Sequence, residues 1–416
     1  MLTQRSRSAR LGIGVAVVVL GLTACSSGSG KKSTGTTGGN HGLTGTPIKI
    51  GNVVDLTGPI PGLFKGAREA TEAYVEKINS TGGLDGHPVE LVTGDSQTTC
   101  NGATAAWGSV MPQVQAMVGS ISGLDSCAQK ALEANPKIPA VFEILNPVLS
   151  GIPNTFSPSP RPLGQSVGPY KYISEQNPGA IKKLGYIANT VTEFSYIQLI
   201  GGLKKIGGEV AYSRTTDVTK QTDFTSDIIK MRKAGVQWLT LDGLPIDVVN
   251  RILNNAKQQN WRPKVITAVT AYDGNFLKLA DPAAAEGIYI PTSVAMFLGE
   301  DRATTPGVDE YLTWLKKVHP DSKPDLFGAY AWAASELWYE AWKAAAGTKS
   351  PDDVRFALGT IQKFDAKGLL AEASPTSRTP ATCWLVARIQ SGKYVREIPK
   401  DKGFSCEGAE YVPLTG

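Results

Sequence analysis

The sequence predicts an α/β protein made of two lobes, and three observations carry that prediction. Short apolar strands alternate with helical stretches at the spacing of βαβ units, which implies parallel sheets. The alternation runs from residue 47 to residue 142 and then restarts over residues 170–268 at similar length. The chain of 416 residues is 41% hydrophobic, 8% aromatic and 19% charged, which is ordinary globular composition with enough apolar material for large cores.

The elements follow in order. Residues 47–54 read as a strand, stopped by Asp55-Leu56-Thr57-Gly58-Pro59. Residues 66–79 place apolar side chains at helical spacing and stop at Gly82-Gly83. A strand at 87–93, a helix carrying Ala103, Ala106, Trp107 and Val110, a strand at 114–118, a helix at 126–133 and a strand at 139–142 complete the first run. The second run has helices at 170–176, 194–206, 224–234 and 246–259, with strands at 183–188, 209–214, 236–241 and 264–268. A strand at 287–292 and helices at 311–318 and 327–346 come next. Trp314, Trp332, Trp338 and Trp342 recur at helical spacing among alanines, a core pattern. Residues 384–389 and 394–398, around Ser391-Gly392-Lys393, read as a β-hairpin.

Residues 1–24 read as an export leader. Arg5, Arg7 and Arg10 precede an apolar run over 11–22, long enough for a signal core and too short to span a bilayer. Leu22-Thr23-Ala24-Cys25 resembles the bacterial lipobox, which implies that Cys25 is lipidated and becomes the first mature residue. The expected location is then the extracytoplasmic face of the cell membrane, held by the N-terminal lipid. Residues 25–46 are rich in Gly, Ser and Thr and read as a flexible tether.

Charge and motif content exclude several functions. The formal charge is +5, and loss of the three leader arginines brings the mature chain near neutral, with no basic stripe for a nucleic acid. The histidines are His41, His87 and His319. His87 and His319 each precede proline and read as turn residues, and His41 falls in the tether without a partner. No Cys/His cluster suggests a metal, and no Gly-x-Gly-x-x-Gly or phosphate loop suggests a cofactor. Gly119-Ser120-Ile121-Ser122-Gly123 has Ile where a hydrolase would carry its nucleophile, so no enzyme is expected. After Cys25, the cysteines Cys100, Cys127, Cys383 and Cys406 allow three pairings. Proximity favours Cys100–Cys127 and Cys383–Cys406, each loop being worth roughly 3–4 kcal/mol.

The ordered set of the 48–54 strand, Leu56-Thr57-Gly58-Pro59, Gly66-Ala67-Arg68, Ile78-Asn79 with Gly82-Gly83, Cys100, Gly119, Asn146-Pro147, residues 224–234, Gly274-Asn275 and Glu286-Gly287 resembles type I periplasmic binding proteins. The Leu/Ile/Val-binding receptors of ABC importers are the nearest in pattern. The resemblance implies two doubly wound parallel-sheet lobes joined by three crossover strands, near residues 157–161, Pro291 and Gln362. Lobe I would hold 47–158 and 292–362, and lobe II 159–291 and 363–416. It also supports the Cys100–Cys127 pair. The implied function is capture of a small organic solute, a branched-chain amino acid or related compound, in the interlobe cleft. Hinge closure then delivers it to a membrane permease, the protein acting as a monomer. A sensory receptor feeding a signalling partner would carry the same pattern.

Open α/β sheets bind ligands beyond the carboxyl ends of their strands. That rule selects residues 55–58, 120–123, 143–146, 189–195, 242–244 and 271–273. Within them the resemblance places a lobe-one hydroxyl at Ser122 and a close backbone N–H at Gly123. It places the family threonine at Leu145, aromatic positions at Phe194 and Leu244, and the lobe-two acid at Ala271, beside Tyr272 and Asp273. Glu143 is a further cleft candidate. These departures leave both an α-amino acid and a more apolar or differently charged ligand open.

Overall fold

The computed structural model describes residues 36–37, 39–59, 62–218 and 220–414. The leader, Cys25 and the start of the expected tether lie outside the described residues.

The first sheet is formed by β1 (Thr36–Thr37), β2 (Ile48–Val54), β3 (Val89–Asp95), β4 (Ala116–Val118), β5 (Ala140–Val141) and β6 (Thr155–Phe156), in the order β1-β3-β2-β4-β5-β6. All pairings from β2 to β6 are parallel, and β1 alone runs antiparallel, with Thr36 opposite Val92. Because β3 and β4 lie on opposite sides of β2, the sheet has its switch point there. Helices α1 (Lys65–Ser80), α2 (Cys100–Val110) and α3 (Gln129–Ala134) connect these strands. The Thr99 hydroxyl caps α2 by accepting Gly102 N–H at 3.0 Å.

The chain then enters a second lobe through β7 (Gly164–Ser166) and α4 (Gly168–Gln176). Its sheet consists of β8 (Leu184–Asn189), β9 (Val210–Thr216), β10 (Trp238–Thr240) and β11 (Lys264–Thr267), all parallel, in the order β11-β10-β8-β9. Helices α5 (Glu193–Lys205), α6 (Thr225–Lys233), α7 (Ile246–Gln258), α8 (Phe276–Leu279) and α9 (Pro282–Ala285) surround it. β12 (Tyr289–Thr292) leads back to the first lobe, where α10 (Pro306–Val318), α11 (Leu326–Ala344) and α12 (Pro351–Leu358) pack. Strand β12 pairs with the hairpin β13 (Leu385–Gln390) and β14 (Lys393–Ile398), and β15 (Tyr411–Pro413) pairs with β7. The expected α/β class and two-lobe architecture are therefore present.

The first core forms where α1 meets α11. Ala67, Ala70, Tyr74 and Ile78 recur on one face of α1, opposite the alanine- and tryptophan-rich face of α11. The Tyr74 ring meets Trp332 edge-on at 4.7 Å, and its hydroxyl donates to Glu336 at 2.6 Å. Trp332, Trp338 and Trp342 are buried as expected, while Trp314 is half-buried under Lys317.

Two expectations change. The described end of the tether is docked on the first lobe. Beyond the β1 pairing, Asn79 Nδ2 donates to Gly39 O at 3.1 Å, and Gly45 N–H donates to Gly86 O at 3.2 Å. Composition foretold only that few side chains would be buried there, and this docking uses backbone groups. His41 has a partner after all, Glu76 at 2.9 Å. Beyond Gln362, near the third expected passage, the chain still contacts the first lobe. Phe364 pairs with Ala373, and Arg378 Nη2 still donates to Ile152 O of the first lobe at 2.9 Å.

Candidate ligand-binding cleft

A cavity of about 250 Å³ lies between the lobes. The first lobe supplies Leu63, Phe64, Leu145, Leu326, Phe327 and Tyr330. The second supplies side chains beyond β8 and β10, among them Thr192, Ser195, Gln198, Asp242 and Leu244. These are the carboxyl ends of the strands beside the second sheet's switch point, where such folds hold ligands. Arg161 and Thr292 enter from two interlobe passages, and Pro380, Ala381, Cys383, Trp384 and Tyr411 from the C-terminal part of the chain. The lobes touch nearby. A Cβ on Gly123 would fall 2.8 Å from Val191 Cγ1, and one on Gly274 would fall 3.3 Å from Lys323 Cβ.

The walls are mainly apolar and aromatic, and two charged groups stand out. Arg161 Nε lies 2.8 Å from Glu143 Oε1, and its Nη2 donates to the Tyr330 hydroxyl. The guanidinium lies 5.2 Å from the centre of the Tyr330 ring. Arg161 keeps 42% of its side-chain surface open, and this residue lines the cavity. Burial opposes its charge, but Tyr330 and Glu143 outweigh that and hold its pKa above the ordinary value. Glu143 is fully buried, and burial pushes its carboxyl up to about 7 against the pull of Arg161.

The second group is Asp242, just past β10. Its Oδ2 accepts the Thr267 hydroxyl at 2.6 Å and its Oδ1 accepts Val269 N–H at 2.7 Å. Burial raises its pKa against the two hydrogen bonds and the attraction of Arg161, which lies beyond ion-pair distance, as do all cations among the described residues. Ser166 Oγ, another lining group, is buried without a hydrogen-bond partner among the described residues. Gln198 is held by Gly164 N–H, which donates to its Oε1 at 3.2 Å.

Of the residues singled out from the sequence, Leu145 and Leu244 line the cavity. Leu145 is positioned by Asp125, which accepts its N–H at 2.7 Å; burial pushes the Asp125 carboxyl up to about 7. Glu143 stands behind Arg161 rather than in the wall. Ser122 is 2% exposed and its hydroxyl accepts Leu124 N–H at 3.1 Å, so it shapes a turn. Gly123 donates its N–H to Asp55 Oδ2 at 3.0 Å and lies where the lobes touch. Phe194 is half-buried and outside the lining. Tyr272 donates to Glu300 at 2.6 Å and packs on Phe297 and Tyr394, away from the cavity. Asp273 Oδ1 accepts Asn275 N–H at 2.7 Å, a local turn contact. The disulfides are Cys100–Cys127 and Cys383–Cys406, as proximity favoured.

Two α/β lobes closing over a walled cavity at their strand ends define a solute-binding protein of the clamshell class. Comparison with known proteins agrees. The family model described as periplasmic binding protein matches residues 47–393, and the chain belongs to that family. The Leu/Ile/Val-binding protein homolog 2 of Brucella abortus is 25% identical over 348 residues, 79% of this chain and 88% of the relative. The branched-chain amino acid transporter substrate binding protein of Streptococcus pneumoniae, solved with isoleucine, superposes with a TM-score of 0.66 at 19% identity, covering 86% of this chain and 99% of that one. A fatty acid ABC transporter substrate-binding protein from Thermomonospora curvata gives a TM-score of 0.71 at 18% identity, covering 90% and 96%. These relatives are solute-binding proteins, not enzymes. The family is extracytoplasmic, and among the described residues no helix is long and apolar enough to cross a membrane.

Proposed function

We propose that this chain is the solute-binding component of an ABC importer and that it captures a small zwitterion with an apolar body, an aliphatic amino acid or a close relative. The charge pattern of the cavity carries the ligand reading. Arg161 is paired with Glu143, whereas Asp242, held by the Thr267 hydroxyl and Val269 N–H, has no ion pair among the described residues and feels Arg161 only as a more distant charge. A desolvated carboxylate without a counter-ion is unfavourable, and a ligand ammonium would relieve it. Arg161 Nη1 has no hydrogen-bond partner among the described residues and would take the ligand carboxylate. Leu63, Phe64, Leu145 and Leu244 would receive the apolar body. The name of the Brucella relative and the isoleucine in the Streptococcus structure support this reading.

The protein named for fatty acids favours a second ligand reading, a monocarboxylate that uses Arg161 alone and leaves Asp242 protonated. In either case residues 47–158 with 292–378 would hinge against 159–291 with 379–416. Ligand would favour the closed state, which docks on the permease as a monomer.

Calorimetry with leucine, leucinamide and 4-methylpentanoate separates the two readings. The zwitterion reading expects leucine to bind at least tenfold more tightly than either analogue. Equal or tighter binding of 4-methylpentanoate selects the monocarboxylate, and failure of a full panel of amino acids and short acids refutes both. Anchoring through Cys25 is tested separately: wild type should partition into detergent and Cys25→Ser into the aqueous phase. A detergent-bound Cys25→Ser protein contradicts the anchor.

A further inference from the structure

A second cavity, of about 310 Å³, sits on the second lobe and shares no lining residue with the cleft. The end of α7, residues 261–264, α9, β12 and β13 form it. Four cations line it, Lys257, Arg262, Lys264 and Arg388, against one acid, Glu286. Lys257 is met by Asp281 at 2.5 Å, and Glu286 Oε2 is occupied by Ser391 N–H at 2.9 Å. Arg262, Lys264 and Arg388 form no ion pair among the described residues.

Two of these cations are held in place by rings. Lys264 Nζ stands 5.0 Å from the centre of the Trp238 ring, and the Arg388 guanidinium stands 4.9 Å from that of Tyr289. The two rings lie 6.4 Å apart, and Asn177 Nδ2 donates to the Tyr289 hydroxyl at 3.0 Å. Arg388 Nε is buried and has no hydrogen-bond partner among the described residues. Gly287, at φ +80°, leaves open the space beside Arg388, since a Cβ there would lie 3.5 Å from Nη2. Fixed cations sharing one cavity repel each other, and a buried donor without an acceptor is unfavourable. A multiply charged oxyanion in the cavity would relieve the repulsion, and the planar guanidinium fork suits it.

We propose that this cavity binds a phosphate group, held by Arg388, Arg262 and Lys264, independently of the cleft. The group could belong to a soluble phosphate compound or to a phospholipid headgroup, and the experiment separates these sources. The Cys25→Ser form, free of its lipid, is titrated with inorganic phosphate or chloride at constant ionic strength, following tryptophan fluorescence, to which Trp261 in the lining contributes, and melting temperature. Sedimentation with phosphatidylglycerol or phosphatidylcholine vesicles forms the second arm. The proposal expects saturable phosphate binding, or binding to phosphatidylglycerol vesicles alone if the source is lipid. Arg388→Gln should weaken it at least tenfold. Arg262→Gln, on an exposed residue, should weaken it as well even if Arg388→Gln fails to fold, and Asp242→Asn should leave it unchanged. Identical responses to phosphate and chloride with no preference for phosphatidylglycerol, or binding undiminished in Arg262→Gln, overturn the proposal.

Discussion

Asp242 and Arg161 stand in one cavity, the first without an ion pair among the described residues and the second paired with Glu143. Burial raises the pKa of Asp242, and its ionised form is the one that holds an ammonium. Affinity for a zwitterion should therefore rise with pH through the range where Asp242 ionises. Asp242→Asn should weaken binding by about 10–100-fold, the worth of a charge-assisted hydrogen bond, and flatten that pH dependence. Calorimetry across pH checks both, and an unchanged pH profile in the variant would assign the dependence to another group. The strand-end rule reached the segments holding Asp242, Leu244 and Leu145. Ser122 and Asp273 accept nearby N–H groups, local contacts that sequence spacing does not reveal. Arg161 escaped notice as a ligand group because it lies in a passage between lobes, between Pro160 and Pro162, not after a strand.

At the scale of elements, the two disulfides do different work. Cys100–Cys127 ties the start of α2 to the turn before α3, away from the cavity. Cys383 lines the cavity and is bonded to Cys406, while Trp384 and Ser405 exchange backbone hydrogen bonds at 2.9 and 2.7 Å. Replacing either pair by alanine should lower stability by roughly 3 kcal/mol, from the loop closed in the unfolded chain. Only Cys383→Ala with Cys406→Ala should also weaken the ligand, by loosening the wall that carries Trp384 and Tyr411. Denaturant melts and calorimetry on both double variants test this, and equal ligand affinities in the two would contradict it. Most long elements were legible because their apolar spacing is clear. Strands β6, β7 and β15 have too few residues to show a period. Helix α12 was missed although Ser350, Pro351 and Asp353 form a start signal: the Ser350 hydroxyl accepts Asp353 N–H at 3.3 Å, and Asp353 accepts Ser350 N–H at 2.9 Å.

At the scale of the molecule, two sheets with switch points at β2 and β8 face each other across a cavity that neither lobe could enclose alone. The repeated strand–helix alternation made that architecture readable. The contacts of residues 364–378 were not readable, because the Phe364–Ala373 pairing has no pattern in the sequence and Arg378 reaches Ile152 across more than two hundred residues. Capture in this cavity is the central claim. The most direct test is a thermal-shift screen of amino acids and short organic acids on wild type and on Ser195→Trp, which places an indole at the α5 edge of the cavity. The account predicts that a true ligand stabilises wild type by about 2.7 kcal/mol at a hundredfold excess over Kd, and that Ser195→Trp still unfolds cooperatively but loses the ligand-induced shift. A shift of equal size in the plugged variant would place the ligand elsewhere and contradict the account.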